Sequence, residues 1–310
     1  GTAIEPWTPP EGFASVTNFE ALAAAVTRTE EQSRQELAAM LDGIDAWSAA
    51  ARRALADKAP VPVGPNPSGF LQNSGPSGIY HAMIRPLIPY AIRGAIWYQG
   101  ESNFLNTKDG MIYKKRMEAL VGGWRKLWGL GDFPFYYVQI APFKYNANQP
   151  QDLPLFWEAQ TAAMEIPGTG MAVINDIGDA NDIHPKRKTE VGYRLALWAL
   201  ARTYGQKDLV CSGPLYKSMQ VEGAAIRLTF DHVGGGLAAR DGKPLDGFEI
   251  AGSDGKFVPA KAEIDGPAVV VASDQVPQPA AVRFAWSNTA CPNLMNKEGL
   301  PASSFRTGSR

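Results

Sequence analysis

One short run limits what this chain can become: Arg93-Gly94-Ala95-Ile96-Trp97-Tyr98-Gln99-Gly100-Glu101-Ser102-Asn103. Residues 95–98 are apolar and read as a buried strand. That strand stops abruptly in an amide, a glycine, a carboxylate, a hydroxyl and a second amide. Strands that end in a polar, glycine-containing turn are where α/β enzymes set their chemistry, at the carboxyl edge of a parallel sheet. Well downstream, Asn181-Asp182-Ile183-His184-Pro185 sets a histidine two positions after an acid, just ahead of an amphipathic helix.

The rest of the chain supports a layered α/β architecture around that strand. Strands predicted over residues 94–98, 135–141 and 170–175 alternate with helices over 113–127, 155–164 and 189–204. That order implies parallel pairing through right-handed crossovers, with the sheet between helices. Nearer the start, residues 19–41 read as a helix capped by Asn18, and 44–56 as a second one. The proline-rich stretch 60–67 cannot sustain a helix and reads as a surface connector, with a substrate lid as the other reading. After Cys211 the pattern changes. Short alternating segments at 225–230, 248–251, 268–272 and 281–286 are separated by glycine, proline and aspartate turns, the pattern of an antiparallel β module.

Composition excludes several functions. A net charge of -1 and a pI near 6.4 argue against nucleic acid or an anionic membrane as the main partner. No apolar run reaches the ~18 residues of a membrane span. Two cysteines, Cys211 and Cys291, are too few for a disulfide framework and lack metal-ligand spacing. They are either a pair in an exported protein or two buried thiols. Neither a metal nor another cofactor is expected.

Acyl transfer from an ester needs an activated hydroxyl, a base held in one tautomer, and donors facing the oxyanion. With three histidines in the chain, the search for a base is short. Pro185 holds His184 extended on a loop, where it is either the base or a histidine of a helix-capping loop. Asp182 is the natural orienting acid, with Asp179 and Asp176 as alternatives. His81 precedes an apolar run and reads as a lining or core residue. His232 precedes Gly234-Gly235-Gly236 and reads as a turn residue. No helix with Lys-Ser/Thr follows that glycine triplet, so it is not a phosphate loop.

The phrases GAIWYQGESN and DIGDANDIHPKRK resemble the sialate O-acetylesterase group of the SGNH hydrolases. So do residues 1–8 (GTAIEPWT), 80–90 (YHAMIRPLIPY), 230–237 (FDHVGGGL) and 296–303 (NKEGLPAS). The similarity runs almost end to end, with the helical stretch 16–57 standing apart as an insertion. It implies an α/β fold, a three-layer α/β/α sandwich around a parallel sheet, with a C-terminal antiparallel β module. The expected division is 1–210 for the catalytic domain and 211–310 for the β-rich module.

The resemblance also assigns roles. It implies an acetylesterase acting on an acetylated sugar or glycan through Ser-His-Asp chemistry. His184 would be the base and Asp182 its partner, although the commoner SGNH spacing puts the acid where Asn181 stands. Gln99 falls where the family donates to the oxyanion, and loss of one such donor costs about 10²–10³ in rate. The other reading of Gln99 is a tie between two loops. Gly1 resembles a glycine region whose N–H gives a second oxyanion donor. Gly100 permits close backbone approach, while Glu101, Ser102 and Asn103 would build the turn; Gly1, Gly100, Glu101 and Asn103 would be the substrate-binding residues. Trp7, Trp97, Tyr98 and Trp157 are stacking platforms or core aromatics, and Glu158 and Gln160 are site neighbours or helix-surface residues.

The family's nucleophilic serine sits in a Gly-Gln-Ser-Asn turn, which this chain does not contain. The resemblance therefore implies a partner, an N-terminal polypeptide segment carrying the serine. Ser102 is the alternative nucleophile, but its setting lacks the second glycine of a nucleophile elbow. Location outside the cytoplasm follows from the resemblance: secreted or periplasmic, or lysosomal in a eukaryote. The rival readings are an acetylxylan or hemicellulose acetylesterase, a non-catalytic carbohydrate-binding or scaffold protein, and a two-carboxylate glycosidase using Glu101 and Asp182.

Overall fold

The computed structural model describes residues 1–27, 30–65, 75–88, 90–105, 111–145 and 151–308. The last two residues of the predicted 60–67 connector, and residues 28–29 of the predicted 19–41 helix, lie outside them. The chain divides into two compact units, Gly1–Ala91 with Arg116–Gly131, and Ile92–Lys115 with Asp132–Arg310.

The first unit is helical. It holds α1 (Pro10–Phe13), α2 (Glu20–Val26), α3 (Glu30–Ala56) and most of α5 (Ile112–Trp128). The expected boundaries were misplaced. α2 ends by Thr27, whereas α3 runs straight through Asp42-Gly43, where a break was expected. Asn18 does not cap α2; it takes positive φ, and its N–H donates to the Glu20 carboxylate at 3.1 Å. Glycine lets α1 and α5 approach closely. A Cβ on Gly123 would meet Pro9 Cγ at 2.5 Å and Gly12 Cα at 2.9 Å. Arg116 pairs with Glu5 at 2.6 Å, and the Trp124 indole donates to the Trp7 carbonyl at 3.1 Å. His81 is exposed, which rules out the core half of the lining-or-core reading.

The second unit contains the predicted parallel sheet. β1 (Ala95–Trp97), β2 (Phe135–Val138) and β3 (Thr169–Ala172) lie in that order, with Ile96 opposite Tyr136 and Tyr137 opposite Met171. The pleat sends alternate residues of β2 to opposite faces. Tyr136 and Val138 join Ala172, Val191, Leu195 and Trp198, so α7 (Lys188–Trp198) covers one face. Gly170 is the gap that admits the Trp198 ring. On the other face stands α6 (Asp152–Ala162). Its Gln160 donates to the Val138 carbonyl at 3.2 Å and accepts from the Ile140 N–H at 3.0 Å, standing in for a strand partner where β2 ends. Helix, sheet and helix make the expected three layers.

Ten further strands follow among the described residues. β4 (Leu215–Glu222), β5 (Ala225–Asp231), β10 (Ala268–Ala272) and β9 (Lys261–Asp265) form one antiparallel sheet in that order. β13 (Phe305–Arg306), β11 (Ala281–Phe284), β7 (Phe248–Ala251) and β8 (Val258–Pro259) form a second. β6 (Leu237–Ala239) pairs with β12 (Leu294–Asn296). Every second residue of β5 points inward, and Ile226, Leu228, Val269 and Val271 meet Phe248, Ile250, Val282 and Phe284 in one core. Full burial of such a side chain is worth about 1.5–3 kcal/mol. The glycine triplet is a structural turn: the Gly235 N–H donates to the Glu298 carboxylate at 2.9 Å, and His232 beside it takes φ +61°.

Candidate active site

At the carboxyl end of β1 the backbone passes through Tyr98, Gln99 and Gly100 into a short helix, α4 (Glu101–Leu105), where an open turn was expected. The Gly100 carbonyl opens that helix by accepting from the Asn103 and Phe104 N–H groups at 3.0 and 2.9 Å. Glycine is required here by packing, because a Cβ would meet Ile140 Cγ2 at 2.7 Å and the Phe156 ring at 3.0 Å.

Gln99 is buried at 8% exposure and held at both ends of its amide. Nε2 donates to Asn103 Oδ1 at 2.7 Å, and Oε1 accepts from the Tyr113 hydroxyl at 2.9 Å. The same hydroxyl donates to the Gln99 carbonyl at 3.0 Å. Asn103 is 2% exposed and serves Gln99. Ser102 stands half-buried in the first turn of α4.

Glu101 lies near two tyrosines. Burial, then the Glu101 charge, raises the Tyr98 phenol well above its ordinary value; burial, Glu101 and Tyr98 do the same to Tyr145. Both hydroxyls are buried and lack a hydrogen-bond partner among the described residues.

The second motif follows β3 on the same edge of the sheet. Residues 176–184 fold into consecutive turns. The Asp179 carboxylate accepts from the Asn181 N–H at 2.9 Å, and the Asp179 carbonyl from the Asp182 N–H at 3.1 Å. Asp182 Oδ1 then accepts from the His184 N–H at 3.0 Å and lies 3.8 Å from His184 Nδ1. The imidazole is 82% exposed and the Asp182 side chain 38%. A separation of 3.8 Å is contact without a formed hydrogen bond; catalytic pairs are often this loose before substrate binds. Lys144, just beyond β2, anchors the turn by donating its N–H to the Ala180 carbonyl at 2.8 Å.

The two motifs meet through Lys188, whose Nζ lies 4.7 Å from the centre of the Tyr98 ring. Asp176, an alternative acid, is committed elsewhere: both its oxygens accept from Arg194, at 2.6 and 2.7 Å. The sequence reading missed Tyr113 and Arg194. Nothing local marks Tyr113, whereas Glu190 and Arg194 show a helical i,i+4 spacing.

The other expected positions have surroundings of their own. Gly1 belongs to the helical unit and is exposed, and the Trp7 indole there donates to the Thr2 hydroxyl at 2.9 Å. Trp157 is core, 1% exposed and donating to the Ile140 carbonyl at 2.7 Å; Trp97 is also buried. Glu158 is held by Arg306 through two hydrogen bonds of 2.9 and 3.1 Å. Cys211 is buried and Cys291 exposed, and both are free thiols. Among the described residues no His/Cys/Asp/Glu group could hold a metal ion, and no helix is long and apolar enough to cross a membrane.

Known proteins resemble this chain. A family described as carbohydrate esterase, sialic acid-specific acetylesterase, matches residues 72–200, a span that contains both motifs. The chain is 29% identical to a sialate O-acetylesterase of Rattus norvegicus over 313 residues, covering 94% of this chain and 54% of that protein. It is 34% identical to the Homo sapiens sialate O-acetylesterase over 168 residues, or 48% of this chain and 32% of the relative. Among solved structures, a carbohydrate acetylesterase from Xanthomonas citri superposes with a TM-score of 0.73 at 41% identity, over 78% of this chain and 56% of that one. The chain spans about half the length, or less, of the curated relatives it matches. Over residues 72–200 it is similar to the sialic acid-specific acetylesterase family of carbohydrate esterases.

Proposed function

We propose that this chain carries the base, its acid partner and an oxyanion donor of a carbohydrate O-acetylesterase. One observation carries the reading: the family match spans both motifs, which stand at the carboxyl edge of one parallel sheet. His184 takes the proton of a serine hydroxyl and later returns it, and Asp182 stabilises the imidazolium. Gln99 offers its amide to the oxyanion, with Tyr113 and Asn103 fixing that amide in advance.

The serine comes from a polypeptide segment outside this chain, by the same reading. Two things support it: no Gly-Gln-Ser-Asn turn occurs here, and the outermost strand β1 presents Ile96 at 68% exposure. An apolar side chain in an edge strand of a parallel sheet invites cover by further chain. Secretion, or a periplasmic or lysosomal location, fits the same reading.

The substrate is an acetylated sugar, either a sialate or, as the second reading, a neutral polysaccharide such as acetylated xylan. The higher identity to a bacterial enzyme named only for carbohydrate favours testing both.

The test is a fluorophosphonate probe on the native sample, followed by denaturation and location of the label by mass spectrometry. Label on a separate or upstream segment, with acetate released from acetylated mucin or acetylated xylan, is the expected result. Label on Ser102 overturns the site assignment, and absence of both label and acetate release leaves the non-catalytic reading.

A further inference from the structure

We propose that Arg194 is a positioning residue for the His184–Asp182 turn, closing the loop that carries it; this rests on the esterase reading above. Arg194 stands on α7, 4% exposed. Its guanidinium reaches back across the loop to the exit of β3. It donates to the Val173 carbonyl at 2.7 Å and to both oxygens of Asp176 at 2.6 and 2.7 Å. Nε holds Glu190, in the first turn of α7, at 3.0 Å.

Val173 and Asp176 precede the turn, and Glu190 and Arg194 follow it. One buried side chain therefore ties the neck of the segment 177–189. Arg240, just past β6, adds a second grip from the β-rich part by donating to the Asp176 carbonyl at 3.1 Å.

The chemistry of the group suits this role. Four donors of a planar fork are engaged at once, which an ammonium cannot reproduce. Burial alone lowers the Arg194 pKa, but hydrogen bonding and charge from Asp176, then Glu190, outweigh it and raise the value. The guanidinium therefore keeps its charge within the clamp. His184 is itself exposed and lies 3.8 Å from Asp182, so its own contacts hold it weakly. The neck of the loop supplies the constraint that the imidazole's surroundings do not. A catalytic group displaced by about 1 Å loses roughly 10² in rate, so this constraint reaches the chemistry.

The experiment compares wild type with Arg194→Lys in the full-length protein, at a temperature where circular dichroism shows both folded. Hydrogen exchange is read on a peptide covering 177–187, with β5 as internal reference, and p-nitrophenyl acetate hydrolysis gives kcat and KM. The expected result is about tenfold faster exchange in 177–187 with β5 unchanged, and kcat lower by about 10- to 100-fold with KM within about twofold. Unchanged exchange at 177–187, equal acceleration in β5, or an unchanged kcat overturns the proposal.

Should Arg194→Lys fail to fold, Glu190→Ala keeps the Asp176–Arg194 pair and removes one side of the clamp. It should raise exchange at 177–187 in the same direction by a smaller factor, and no rise overturns the proposal. A wild type that hydrolyses no ester removes the esterase reading, while the exchange measurement still decides whether Arg194 holds the turn.

Discussion

The two ends of the site are built in opposite ways. At the end of β1, Gln99 is 8% exposed and its amide is fixed by Asn103 and Tyr113. After β3, the His184 imidazole is 82% exposed beside a half-open Asp182. A buried, fully partnered amide costs no reorganisation when charge develops next to it, which is how oxyanion donors are most effective. An exposed ion pair is worth about 0–1 kcal/mol, so Asp182 gains influence over His184 only when something covers them. On the reading proposed above, the oxyanion side is fixed within this chain, while the base side is held at its neck and left open.

That contrast can be broken by substitution. His184→Ala should lower kcat by about 10²–10⁴-fold yet leave stability within about 0.5 kcal/mol, as at other exposed positions. Acetate release and a denaturant midpoint on the same sample decide it, and a large stability loss would mean the imidazole is not the open group described. Gln99→Ala should cost about 10²–10³ in kcat and also about 1–3 kcal/mol of stability, because Asn103 and Tyr113 lose a buried partner. Lost stability with full activity would make Gln99 only a tie between loops. Gly100→Ala forces a methyl against Ile140 and Phe156 and should cost about 1–3 kcal/mol, read as a shift in the urea midpoint with an unchanged slope.

The same contrast explains what the sequence disclosed. β7 and β10 were predicted to the residue because their alternation follows from a two-sided sheet core; β1, β2 and β3 were placed within about three residues at each end, because apolar runs end in turn residues. Both motifs were visible, since each is a local string. What was hidden depends on distance along the chain. Tyr113 reaches Gln99 from another helix, Arg194 reaches Asp176 across the base loop, and Arg306 takes Glu158 from the far end of the chain. A single sequence carries no sign of such pairings. The end of α2 at Val26 was missed because good helix formers stand on both sides of Thr27-Arg28-Thr29 in the sequence, and the join at Asp42-Gly43 because one glycine costs a long helix only about 1 kcal/mol.

The smallest effect is expected at a histidine in the opposite setting to His184. His232 is half-buried in the β-rich part, facing the Trp198 ring at 6.1 Å, with Arg202 and Asp231 as the charges that act on it. Burial first, then the Arg202 charge, lowers its pKa below the ordinary 6.5, against a weaker opposing pull from Asp231. In the window between the lowered value and about 6.5, the unfolded chain binds more protons than the folded one. Stability from this group is therefore complete above about pH 6.5 and is lost as the pH falls through that window. Asparagine tolerates the φ of +61° that His232 adopts, so His232→Asn removes the titration without straining the turn. Thermal midpoints at pH 5 and pH 7.5 should fall less on acidification for the variant than for the wild type. Equal falls would mean that this imidazole is as open to water as His184, and the distinction between a covered and an uncovered histidine would then fail.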